Sequence, residues 1–272
     1  AQGAKVPMTV SGYTFDSAAV FFGFGTLDDE ARFDNLSITG TTFTGNYWDT
    51  DGSTAGSGGA TPAGTWDAAT ANWNPLADGT GTTGAWSAGA TAVFAAGTDA
   101  TGTYTGTVDG SRDIGGLLVE EGSLTLADGT SGALNVTASD TALLIQPGAD
   151  ATIEVPFTDS GTEVLTKGGD GTLTLNADNS GATGGLVLGG GVTQFESPAS
   201  INGSGETVTL GSLGAMVFGA SFVDTNIPTA LDRIVTTSTG TVAADNYAST
   251  AFDFSSAPFM SQSSCSARES KE

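Results

Sequence analysis

The sequence predicts an all-β protein, and two features favour a solenoid over a sandwich. Apolar residues recur in short pairs with one residue between them: Leu124-x-Leu126, Leu134-x-Val136, Leu143-x-Ile145 and Ile153-x-Val155 begin 10, 9 and 10 residues apart. This period-two pattern marks strands that bury one face. Glycine makes up 41 of 272 residues and collects between the pairs, where a turning backbone needs it. Turns at this spacing also describe a β-sandwich, and Asp128-Gly129 and Asp170-Gly171 would suit hairpins. The shortness of the pairs, and corners that contain Asn and Ser as well as Gly, favour stacked coils.

Residues 1–45 form a group apart. Thr9-Val10, Ala19 to Phe24 and Phe33 to Ile38 read as strands, separated by Ser11-Gly12 and by Leu27 to Glu30. The ending Arg32-Phe33-Asp34-Asn35-Leu36-Ser37-Ile38 resembles the last strand of jelly-roll, lectin-like domains. With the rest of such a domain missing, Val20, Phe21, Phe22, Phe24 and Phe33 need a surface to cover them, and they are the expected assembly interface.

Residues 46–63 are rich in Gly and Ser and read as a linker or long corner. Within them, Asp49-x-Asp51-Gly52 has the opening of a calcium loop without its third ligand or its distal glutamate. Asp49 and Asp51 are therefore the metal-ligand candidates, and no other cofactor is expected. Trp66, Trp73 and Trp86 follow closely. Such a cluster caps the end of a solenoid, fills a wide rung or offers a platform to a sugar ring, and structural packing is the favoured reading.

Residues 64–258 are the expected solenoid. At its centre, Leu165 to Leu188 reads LTKGGDGTLTLNADNSGATGGLVL: a glycine turn, a strand at Thr172 to Leu175, a polar corner and a second strand. This pattern resembles the autotransporter-associated β-strand repeat of large secreted bacterial proteins. The resemblance extends upstream through Tyr47 to Gly52, Gly64 to Asp67, Ala71 to Trp73 and Ala92 to Phe94, and reaches Phe254. It implies a right-handed parallel β-helix at the bacterial cell surface and supplies no catalytic residues. Lys167 belongs to the repeat pattern and is expected to make a corner hydrogen bond.

Residues 259–272 form a polar tail that contains Cys265, the sole cysteine. Neither a disulfide framework nor a zinc site is therefore expected. The start at Ala1-Gln2-Gly3 fits a mature product or a fragment of something longer. No apolar run approaches the length of a membrane span. Seven basic against 30 acidic side chains give a formal charge of −23, which repels nucleic acid and anionic headgroups.

The absence of histidine excludes a triad that uses it as base. A β-helical lyase or glycosidase would need facing carboxylates. The candidates are Asp109 with Asp113, Glu120 with Glu121, and Asp159 with Glu163. Adjacent Glu120 and Glu121 would point to opposite faces of a strand, and the others sit in corners where acids are usually solvated. The expectation is a secreted, non-catalytic structural protein: a stalk, an adhesin passenger or a fibre subunit. Its expected partners are further copies joined head to tail, or other surface proteins and polysaccharides. The rivals are a calcium-assisted carbohydrate-binding module and, less favoured, a polysaccharide-processing enzyme.

Overall fold

The computed structural model describes residues 45–201 without a break, then 203, 207–219, 221–222, 230, 232–236 and 241–244. The expected interface residues Val20, Phe21, Phe22, Phe24 and Phe33, and the tail from 259, lie outside the described residues.

The chain is a parallel β-solenoid of about 6 turns. With strands numbered in chain order, one face stacks β1 (Gly45–Trp48), β4 (Thr91–Phe94), β7 (Gly116–Val119), β10 (Asp140–Ile145) and β13 (Val164–Gly168). It continues through the first half of β15 (Gly185–Phe195), the first half of β16 (Val208–Phe218) and β17 (Ile234–Thr236). A second face stacks β2 (Gly64–Trp66), β5 (Thr103–Val108), β8 (Ser123–Asp128), β11 (Asp150–Ile153) and β14 (Thr172–Leu175), then the second halves of β15 and β16 and β18 (Thr241–Ala244). A short third face holds β6 (Ser111–Ile114), β9 (Ala133–Val136) and β12 (Phe157–Thr158).

This arrangement explains the spacing of the apolar pairs. Leu124 lies on the second face, Leu134 on the third, Leu143 on the first and Ile153 again on the second. Successive pairs therefore mark successive faces of a coil. Leu126 then pairs in register with Ile153, one full turn later. Leu124, Leu134, Leu143, Ile153, Leu173 and Leu186 are all buried, as their inward positions in the period-two pattern require. The hairpins that a sandwich would need are not formed at Asp128-Gly129 or Asp170-Gly171, because the flanking strands pair in parallel with other coils.

Antiparallel pairing among the described residues occurs at the N-terminal end. There, β3 (Trp73–Asn74) runs against β1, and Trp73 forms a further antiparallel bridge with Gly84. On the third face, after β14, Asn179 takes the place of a strand. Its Oδ1 accepts from the Phe157 N–H at 2.9 Å, and its Nδ2 donates to the Ser200 carbonyl at 2.8 Å. A side-chain amide thereby supplies the donor and acceptor that a strand would have offered to the coils on either side.

Candidate functional site

Lys167 is the most unusual residue of the interior. The inward row of the first face runs Ala92, Leu117, Leu143, Lys167, Leu188, Leu210 from coil to coil. Lys167 thus occupies a leucine position and is fully buried. Its Nζ donates to the carbonyls of Gly169 at 3.0 Å, Gly171 at 2.7 Å and Gly190 at 2.9 Å. An ammonium has three N–H donors and no acceptor, so three carbonyls satisfy it completely. Burial lowers its pKa to about 8, while the charge of Asp170 pulls the other way.

Glycine makes this cage possible. Gly169 has φ +74 and Gly191 φ +63, both in the left-handed region. A Cβ at Gly169 would run into the Ile145 carbonyl, and one at Gly191 would lie 2.5 Å from Lys167 Nζ. The corner bond expected of Lys167 is present, and it is threefold. It spans two coils and leaves the amine no free face for chemistry.

The hydrogen bonds of the candidate carboxylates tie coils and corners together. Asp109 accepts the Thr130 N–H at 2.7 Å, and Asp113 accepts from Asn135 Nδ2 at 2.8 Å. Asp159 takes the N–H and hydroxyl of Thr183 at 3.0 Å and the Gly184 N–H at 2.9 Å. Each of these donors lies in the following coil. Glu163 closes its own corner by accepting the Ser160 hydroxyl and the Ser160 and Thr162 N–H groups. Those bonds hold its carboxyl down at about 2.

Glu120 and Glu121 follow the end of β7, outside any strand, so strand alternation does not govern them. Glu121 accepts the Ala100 N–H at 2.9 Å. Burial raises its carboxyl, against the effect of that bond. The expectation that Asp109, Asp113 and Asp159 sit solvated in corners is corrected: Asp113 lies on β6, and Asp109 and Asp159 are not merely solvated in theirs. They are half-exposed, yet each staples its coil to the next.

Asp49 and Asp51 sit in the corner after β1. Asp49 is fully buried; its Oδ1 accepts the Asp51 N–H at 3.0 Å and its Oδ2 accepts from Asn74 Nδ2 at 2.7 Å. Asp51 is exposed, and its carboxyl is raised by desolvation, then by the hydrogen bond and charge of Asp49 and the charge of Asp99. Asp99 closes the same corner by accepting the Ser57 and Gly59 N–H groups at 2.8 Å. Among the described residues, no three Asp, Glu, His or Cys side chains are grouped to hold a metal ion.

The tryptophans pack as an end cap. Trp48, Trp66 and Trp73 are buried, and Trp86 packs against them partly exposed. Ring centroids lie 4.9 Å apart for Trp66 and Trp73, 4.6 Å for Trp73 and Trp86, and 5.2 Å for Trp48 and Trp73. Edge-on and tilted contacts of this kind suit the aromatic quadrupole. Phe94 joins the cluster at 5.5 Å from Trp73.

Polar groups of the same segment cover the strand edges at this end. Asn72 Nδ2 donates to the Thr65 carbonyl on β2, Gly84 pairs with Trp73 on β3, and Trp86 Nε1 and the Gly89 N–H both donate to the Asp113 carbonyl on β6. Nothing in the residue pattern assigns Trp48 and Phe94 to this cluster. Their place follows from β1 and β4 being neighbours.

A stretch of 169 residues, 60% of this chain, is 31% identical to the adhesin BmaC autotransporter of Brucella suis. The similarity covers 4% of that relative, so the chain spans only a small part of its length. No protein-family profile matches the chain. No solved structure matches it either.

Proposed function

We propose that this chain is a segment of a secreted bacterial surface protein and acts as a non-catalytic adhesin passenger or stalk. The observation that carries this reading is the use of the interior and corner polar groups in holding coil to coil. Lys167, Asp109, Asp113 and Asp159 all bond across to a neighbouring coil. A solenoid built in this way is a spacer, with stability added coil by coil. The distant likeness to an autotransporter adhesin supports both the adhesive role and the cell-surface location. The charge of −23 favours partners other than nucleic acid.

The partners proposed are surface proteins or polysaccharides of another cell, or further copies of the chain joined head to tail through residues 1–45. A carbohydrate platform draws no support from the tryptophans, since Trp66 and Trp73 are buried. Display of the chain on a non-adherent bacterium tests the reading. Attachment to cells or abiotic surfaces should rise over an empty-scaffold control, with no release of reducing sugar from polysaccharides. Unchanged attachment would overturn the adhesive role, and sugar release would overturn the non-catalytic one. Sedimentation of the purified chain separately decides between monomer and filament.

A further inference from the structure

The outward positions of the second face form a register-locked field of threonines. Thr105, Thr125, Thr152 and Thr174 stand directly beside one another on β5, β8, β11 and β14. Two residues earlier on the same strands, a parallel rank holds Thr103, Ser123, Asp150 and Thr172. The four threonines of the first rank are half-exposed between buried neighbours. None of their hydroxyls bonds another described protein group. In a parallel sheet the repeat is about 4.8 Å from strand to strand and about 6.6 Å between the two ranks. A methyl and a hydroxyl therefore recur from strand to strand along the first rank; in the second rank Thr103 and Thr172 repeat both groups, Ser123 keeps the hydroxyl alone, and Asp150 has neither.

We propose that this face binds the surface of ice. The two repeats are similar in size to the oxygen spacings of an ice prism plane, so the threonine hydroxyls and methyls recur at intervals close to those of that lattice. Charge fits a neutral partner: Asp150 is the one charged group among the eight positions, on a chain of net charge −23. The field covers about 250 Å² at these spacings. That is well below the roughly 800 Å² per partner that a stable protein interface buries, which argues against a second copy or another protein. The ranks also lack an aromatic ring on which a sugar could stack. The inference is independent of the adhesin reading, because it needs only the register of the second face.

Ice-affinity partitioning of the full-length chain tests it, together with microscopy of crystals grown in its presence. The chain should be taken up into slowly growing ice and should facet the crystals. Thr125→Tyr with Thr152→Tyr should abolish both effects while melting as the wild type does, since tyrosine suits a strand. Val187→Tyr, outward on the first face, should leave both effects intact. Exclusion of the wild-type chain from ice would overturn the proposal, as would a folded double tyrosine variant that still enters ice. Dimerisation that depends on Thr125, without uptake into ice, would also overturn it and make the face a self-contact. If the tyrosine pair fails to fold, Thr125→Val with Thr152→Val keeps the shape, and undiminished uptake by that pair would overturn a role for the hydroxyls.

Discussion

Lys167 Nζ donates to the carbonyl of Gly190 at 2.9 Å, a contact between neighbouring coils made from the middle of a row of leucines. The bond lets a charged side chain stand at a core position, because the glycine turns bring three carbonyls to it. Removing the amine leaves those carbonyls without their donor in a dry interior, and each unpaired group costs about 1–3 kcal/mol. Lys167→Met, which keeps the apolar stem, should therefore destabilise the protein by about 3 kcal/mol or more in urea unfolding. A loss under about 1 kcal/mol would show that the carbonyls find other donors.

The same residue sets a pH dependence on the alkaline side. Its folded pKa is about 8, whereas an unfolded lysine titrates near 10.4. Between those values the unfolded chain holds a proton that the folded chain has released, and stability rises with pH through that window. From about pH 10 the buried Tyr104, whose phenol is raised by burial and by Glu121 and Glu120, acts in the opposite sense. The urea midpoint should climb from pH 8 to about 10 and then fall, and Lys167→Met should lack the climb. A midpoint that falls steadily from pH 8 in the wild type would contradict the burial argument.

The tryptophan cap should fail locally. Trp73→Ala removes a ring that touches Trp48, Trp66, Trp86 and Phe94, a change that typically costs about 3–5 kcal/mol. It also weakens the cover over β1, β2 and β6, exposing edges that template association. Hydrogen exchange should speed up across residues 45–94 while β11 and β14 keep their protection, and the variant should aggregate more readily. Uniform loss of protection would mean that the cap and the coils unfold as one unit.

Calcium tests the corner acids. The ion takes six to eight oxygen ligands, and Asp49 already gives both of its oxygens to Asp51 and Asn74. Millimolar calcium should leave the urea midpoint unchanged. A midpoint that rises with calcium, and loses that rise in Asp51→Asn, would show that Asp49 releases Asn74 to bind the ion.

Alternation and turn chemistry made the strands legible in the sequence. Leu124 to Leu126 and Leu173 to Leu175 carry their inward and outward faces in the residue pattern itself, because a strand's side chains alternate with period two. Lys167 was legible as part of the repeat and as a corner donor. Local pattern could not supply the partners. Thr130 for Asp109, Thr183 for Asp159 and Gly190 for Lys167 each lie 21 to 24 residues away. The length of a coil varies, with Leu117 matching Leu143 but Leu165 matching Leu186, so no fixed period points to them. The sequence by itself determined which residues turn inward and where the chain bends. Stacking alone decided that corner acids become staples, that Trp48 and Phe94 complete a cap, and that four threonines from separate coils share one rank. These relationships depend on the register between coils, which forms only when all the coils are packed together.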